Sequence, residues 1–172
     1  MAYTSKQVAN EFIDLAMRDG RQLTPMQLQK LVYFAYGWYL AITGKRLLDE
    51  RVEAWRWGPV VPSLYSEFKP YGSGPITEPA ADFFFDDAGK MSFKTQRIGN
   101  SPDDITAKQI IAKVWQIYGK YTASQLSAMT HEPNSPWSLT EEKDVKGTDI
   151  DDQLITNYFR RLAHGHAAAA VR

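Results

Sequence analysis

Three histidines, His131, His164 and His166, are the side chains of this sequence best suited to acid–base catalysis or metal binding. His164 and His166 come near the end of a predicted helix, where the helix dipole favours a positive charge, and no carboxylate pair beside them completes a metal site. His131 lies in the segment "MTHEPNSPW". We interpret it first as a residue that locks this loop through hydrogen bonds and ring packing, with a place on a recognition surface as the alternative. The sequence predicts neither a metal ion nor a cofactor.

Serine nucleophiles and carboxylate pairs also lack the spacing of a catalytic site. Ser63 lies among aromatic residues, without a G-x-S-x-G motif or a histidine nearby. Asp-Asp pairs at 86–87 and at 103–104 stand beside turn and helix-start signals, so capping accounts for them. The chain has no cysteine, which excludes disulfides, thiolate zinc sites and a cysteine nucleophile. We therefore predict that the chain is not an enzyme, and His131 with Glu132 is the place where a catalytic role would be sought.

The segment "WRWGPVVPSLY", residues 55–65, places large aromatic side chains beside a restricted backbone. Its prolines fix φ and its glycine permits conformations that other residues resist, so the segment would lose little entropy when a partner docks. Trp55 is predicted to be its buried anchor, whereas Trp57 and Tyr65 are predicted to contact a partner, as Trp and Tyr often do at interfaces. The candidate partner-binding residues are Trp57, Pro59, Val60, Tyr65, Phe68, Tyr71, His131 and Trp137.

The composition indicates one compact globular domain. The chain has 172 residues, of which 44% are hydrophobic. Its formal net charge of zero argues against nucleic acid as a partner, because nucleic-acid-binding domains usually carry a basic surplus. The N-terminus has no signal-peptide pattern, and the longest apolar run, residues 31–42, is too short to cross a bilayer. We expect a cytoplasmic protein with no membrane partner.

Helical periodicity and capping residues predict a mainly α domain with a small β element. Helices are predicted from Thr4 or Ser5 to about Asp19, from the Thr24 capping box to Gly44, over 62–68, from Ser101 onward, over 122–132 and over 152–166. Residues 51–57 alternate like a short strand that Gly58-Pro59 breaks, and residues 82–93 are typical of two strands around a turn, or of an irregular flap. The sequence thus predicts a single compact helical domain over 1–166, with a short β hairpin or small antiparallel sheet, and a disordered tail over 167–172.

The second predicted helix is apolar on nearly every side from Leu31 onward, which places it in the middle of the domain. Gly37 inside it would cost about 1 kcal/mol relative to alanine, so we expect a large ring or another backbone to approach it closely. Its polar residues Gln27, Gln29 and Lys30 are too few for the recognition helix of a helix-turn-helix protein.

Three ordered blocks of the sequence resemble one known family. They are "LQKLVYFAYGWYLAITGKRLLDERVEAWRWGPVVPSLYSEFKPYG" (28–72), "LSAMTHEPNSPW" (126–137) and "ITNYF" (155–159). Together they resemble the SocA-like, or Panacea, domain of bacterial and phage antitoxins. The resemblance implies a mainly helical single domain that acts as the antitoxin of a toxin–antitoxin pair, binding a toxin protein directly and holding it inactive.

The resemblance leaves the identity of the partner open. The expected partner is a protein toxin encoded by an adjacent gene. The alternatives are an adaptor that also docks on a AAA+ protease and delivers the toxin for degradation, and a phage-encoded inhibitor of a host defence protein. The abundant aromatic residues leave a homodimer open as well. The segment 79–100 carries no family motif and is where the choice of partner would vary.

Overall fold

The computed structural model describes residues 1–143, 145 and 147–170, and it confirms the predicted mainly α class with a small β element. The elements are α1 (Ser5–Arg18), α2 (Pro25–Thr43), β1 (Glu53–Trp55), β2 (Gly58–Val60), α3 (Pro62–Phe68), a 3-10 turn (Lys69–Tyr71), β3 (Ala81–Phe85), β4 (Met91–Thr95), α4 (Pro102–Tyr118), α5 (Ala123–Thr130), α6 (Pro136–Leu139) and α7 (Asp152–Ala170). None of the helices in these ranges has the length and apolar character needed to cross a membrane.

Four of the predicted helix starts are capping boxes. Thr4, Thr24, Ser101 and Thr122 each accept a hydrogen bond from the backbone N–H three residues later, and the side chain at that later position bonds back to the backbone of the cap. Each box satisfies two N–H groups that a helix end leaves unpaired. The local sequence therefore determines where α1, α2, α4 and α5 begin, as predicted.

Helix α2 occupies the centre of the domain, which confirms the prediction from its apolar surface. Every residue from 28 to 37 is buried, and α2 packs against α1, α4, α5 and α7. Gly37 allows the closest of these approaches. A Cβ placed on Gly37 would lie 2.1 Å from an edge carbon of the Phe159 ring in α7. The large ring expected at Gly37 is therefore Phe159.

Two local predictions are corrected by the structure. The strand does not end at Gly58-Pro59, because those residues begin β2, which pairs antiparallel with β1 around a turn at residues 56–57. Gly58 closes the turn with a φ of 110°, and Pro59 is tolerated because β2 is an edge strand that pairs with β1 alone. The second correction concerns the segment "PNSPW" (133–137), whose composition predicts a turn: its last two residues begin the short helix α6.

The segment 82–93 forms two strands rather than a flap. β3 pairs antiparallel with β4, and the turn between them is closed by Asp86, whose carboxylate accepts the backbone N–H groups of Ala88 and Lys90. The predicted tail at 167–172 falls partly on α7, which is described through residue 170, and partly on residues 171 and 172, which lie outside the described residues. It stays a prediction.

Replacing Gly37 by alanine tests the helix contact. We expect Gly37→Ala to lower the free energy of unfolding by about 1–3 kcal/mol, because the new methyl group collides with Phe159, although alanine is the better helix former. The matched control is Gly165→Ala in α7, where a Cβ meets no atom within 4 Å. Urea denaturation should show the control to be neutral or slightly stabilising. Equal midpoints for the two variants would contradict the contact.

Candidate functional site

The aromatic corner, which we define as residues 55–65, is positioned by a buried amine. Lys30 in α2 is fully buried, and its Nζ donates hydrogen bonds to the carbonyl oxygens of Trp57 (2.8 Å) and Pro59 (3.1 Å). Burial lowers the pKa of Lys30 to about 7, since desolvation disfavours the charged form. The ion pairs among the described residues do not include Lys30. Lys30 therefore serves as a hydrogen-bond donor to the hairpin backbone rather than as half of an ion pair.

Helices α5 and α6 fix the corner from the other side. The indole Nε1 of Trp137 donates to the carbonyl oxygen of Trp55 at 2.7 Å, and the hydroxyl of Ser127 donates to that of Trp57 at 3.1 Å. The His131 ring packs on Trp137 with 4.0 Å between centroids, and its Nδ1 lies 2.6 Å from the carbonyl oxygen of Ser127. Hydrogen bonds from three helical segments thus fix the β1–β2 backbone.

The outer surface of the corner is aromatic and accessible. The side chain of Trp57 is 62% exposed and that of Tyr65 is 46% exposed. A cavity of about 210 Å³ opens between them, and its lining includes Met26, Trp55 and Leu64. Arg56 lies over the Trp57 ring, with its guanidinium carbon 4.9 Å from the ring centroid. The corner therefore presents an apolar hollow with a cation at its edge.

Gln29 lies under this cavity, and only the nitrogen end of its side-chain amide is hydrogen-bonded among the described residues. It is one of the lining residues and is only 6% exposed. Its Nε2 donates to the carbonyl oxygen of Val61 at 3.1 Å, whereas its Oε1 is buried and finds no hydrogen-bond partner among the described residues. Together with Lys30, it gives α2 three hydrogen bonds to the backbone of the corner.

The structure places the predicted partner-binding residues in three different environments. Trp57 and Tyr65 are exposed, as expected for contact residues. Pro59, Val60 and Phe68 are buried, because β2 and α3 pack onto α2 and the core, although Val60 also lines the corner cavity. The three that are partly buried are Tyr71, which packs against the core, and His131 and Trp137, which hold the corner from beneath.

The expectation for Trp55 is corrected as well. Trp55 is only half-buried, and its ring lies edge-on against Tyr65 at 5.1 Å between centroids, with its indole N–H bonded to Glu53. The buried anchor of the corner is Lys30. From the sequence, Lys30 is interpreted only as one of the polar residues that are too few for a DNA-recognition helix. A polar Gln-Lys pair inside a helix predicted to be surrounded on all sides was the signal that could have revealed it.

A larger cavity elsewhere in the domain has a different character. It measures about 470 Å³ and lies between α2, α4 and α7, with a lining that is mainly apolar, including Trp38, Ile42, Ile110 and Ile117. Among the described residues, no three His, Asp or Glu side chains lie close enough together to hold a metal ion.

The pH dependence of stability tests the role of Lys30. The pKa of Lys30 is about 7 in the folded chain and about 10.4 in an unfolded one. Between these values the unfolded chain binds more protons, so stability should rise with pH. Relative to Lys30→Met, the free energy of unfolding of the wild type should increase by up to about 1.4 kcal/mol per pH unit between pH 7 and 9.

Urea denaturation of both proteins at pH 7, 8 and 9 measures this difference, because contributions common to both chains cancel. Direct titration of the Lys30 side chain by NMR gives the pKa without a variant, in case Lys30→Met does not fold. Parallel stability curves, or a Lys30 pKa near 10, would show that the amine is solvated and that the corner is held in another way.

Comparisons with known proteins match the part of the chain that contains the aromatic corner. A profile of the family described as "Antitoxin SocA-like, Panacea domain" matches residues 28–138, which include Lys30, the aromatic corner and Trp137. The chain is 30% identical over 162 residues to Antitoxin SocA of Caulobacter vibrioides (strain NA1000 / CB15N), covering 91% of this chain and 82% of that relative. No solved structure matches significantly. From the extent of both matches, the chain belongs to the SocA-like Panacea domain family.

Proposed function

We propose that this chain is an antitoxin that neutralises a partner toxin protein by binding it directly through the aromatic corner. Family membership supports the antitoxin role. The observation that carries direct binding is the exposure of Trp57 and Tyr65 on a backbone that is already fixed in place.

The fixed backbone matters because association is opposed by the entropy of ordering the interface. The carbonyl oxygens of Trp55, Trp57 and Pro59 are already held by hydrogen bonds from α2, α5 and α6. A partner that docks here therefore orders little beyond a few side chains, and most of the contact energy is available for affinity.

Trp57 offers the largest single gain on binding. A tryptophan buries about 150–250 Å² when fully covered, so the 62% of Trp57 that is exposed represents roughly 90–155 Å². Removing that area from water is favourable by about 2–4 kcal/mol at 25 cal/mol per Å². Arg56 beside the ring adds the second residue type that is common in interface hot spots.

The adaptor role would use the same first step. An adaptor must bind the toxin as well as a AAA+ protease, so its toxin contact can also lie at the corner. The two mechanisms differ in the fate of the toxin, which stays intact in an occluded complex and is degraded when an adaptor delivers it. We favour occlusion because the corner accounts for binding without a second docking surface.

Replacing Trp57 tests the corner as the toxin-binding surface. We expect Trp57→Ala to fold with a melting temperature close to that of the wild type, since the ring is mostly exposed, and to bind the toxin at least tenfold more weakly. Calorimetry with the product of the adjacent gene measures the affinity, and co-expression measures rescue from growth arrest.

The matched control is Ile42→Ala, which removes an equally exposed apolar side chain (63%) that does not line the corner cavity. It should bind and rescue like the wild type. Equal affinity of Trp57→Ala and wild type would reject the corner as the contact. Rescue that depends on a AAA+ protease, with loss of the toxin, would replace occlusion by delivery.

A further inference from the structure

One face of the β3–β4 hairpin carries four large apolar side chains, beyond Ala81 and Thr95 at its base. In its register Phe83 lies opposite Phe93 and Phe85 lies opposite Met91, so all four point to the same side. We call this set the phenylalanine face. Its side chains are 69%, 67%, 71% and 51% exposed, in the order just given, and the rings of Phe83 and Phe93 contact edge-on at 6.1 Å between centroids.

The hairpin is firmly attached at its base. Asn10 in α1 is fully buried, and its Nδ2 donates to the carbonyl oxygens of Ala80 (2.9 Å) and Gln96 (2.8 Å). Its Oδ1 accepts the backbone N–H of Ala80 at 2.8 Å. Lys6 in α1 also bonds Asp82 at 2.8 Å. These contacts fix where the strands leave the domain, while the phenylalanine face remains uncovered by the rest of the described chain.

An uncovered face of this kind is unfavourable in water. Three phenylalanine rings of about 150–250 Å² each, roughly 70% exposed, present about 300–500 Å² of apolar surface before Met91 is added. Soluble monomers seldom show a larger continuous apolar patch. A two-stranded hairpin is also marginally stable unless one of its faces packs against something.

We propose that the phenylalanine face is the dimer interface of this protein, covered by the same face of a second copy. Two such faces together remove about 1,000 Å² from water once Met91 and the neighbouring backbone are included, which is the lower limit for a specific interface. Interfaces at this lower limit of size are typical of weak, reversible association.

The composition of the face favours a second copy over a different protein. Two-fold contacts bring the same patch of each subunit together, so a charged residue near the axis would meet its own like charge. This side of the hairpin carries no charged side chain, and its polar residue, Thr95, lies at the base. Homodimer interfaces are more apolar than interfaces between proteins that also exist separately. The charged residues of the strands, Asp82 and Lys94, lie opposite each other on the other face.

The dimer would leave the aromatic corner accessible. None of the four residues of the phenylalanine face lines the corner cavity. Each copy then offers one corner, and a complex of two antitoxins with two toxins is the expected assembly. The dimer itself does not depend on the proposed toxin contact.

Sedimentation velocity and light scattering of the full chain at 1–100 µM test the proposal. The wild type should approach twice its monomer mass of 19.5 kDa as the concentration rises. Phe83→Ser combined with Phe93→Ser should weaken dimerisation at least tenfold. The matched control is Phe84→Ser, which removes a ring that is 48% exposed on the opposite face of the hairpin, and it should dimerise like the wild type.

A second variant separates loss of contact from loss of the hairpin. Phe83→Leu combined with Phe93→Leu keeps the face apolar and should remain dimeric, and Trp57→Ala should dimerise like the wild type. A wild type that is monomeric at 100 µM, or a double serine variant that dimerises unchanged, would overturn the proposal. A monomeric wild type whose double serine variant no longer binds toxin would assign the face to the toxin instead.

Discussion

The hydrogen bonds from Lys30 to the backbone of the β1–β2 hairpin are the interaction on which the functional surface depends. A buried lysine is unfavourable when charged, and this one has no carboxylate to offset its burial among the described residues. A neutral amine still donates two hydrogen bonds, which is what the carbonyl oxygens of Trp57 and Pro59 require. Lys30 therefore stabilises the corner best when its amine is neutral, which is the less usual protonation state of a lysine.

The requirement for glycine at position 58 follows from the same contact. A Cβ there would lie 2.6 Å from the Lys30 amine and 2.7 Å from the Thr130 hydroxyl oxygen, and the φ of 110° is one that other residues rarely adopt. The hairpin backbone can therefore approach the amine only through glycine. The two residues are distant in sequence and form one structural unit, with Thr130 and Trp137 completing it.

Helix α2 joins this unit to the rest of the domain. Its N-terminal half carries Gln29 and Lys30 against the corner, and its C-terminal half packs against α4 and α7 through aromatic rings. Phe34 stacks on Tyr118 with 4.3 Å between centroids, and Gly37 admits the edge of Phe159. Because one rigid helix makes both sets of contacts, the position of the exposed aromatic side chains is determined by the hydrophobic core.

The corner and the phenylalanine face also differ physically, since one is a hollow with an adjacent cation and the other is a flat apolar patch.

Residue types and their spacing are enough to predict the local structure of the domain. Caps at Thr4, Thr24, Ser101 and Thr122, the central position of α2 and the need for a close neighbour at Gly37 all follow from residue types and spacing, because they depend on contacts within a few positions or on one helical surface. Which aromatic residues are exposed depends instead on packing between elements that are distant in the chain. Phe68 and Val60 are as apolar as Tyr65 and Trp57, and only packing onto α2 buries the first pair and leaves the second accessible. The same holds for the role of Lys30, since its partners are backbone carbonyls more than 25 positions away, and backbone groups leave no trace in a sequence.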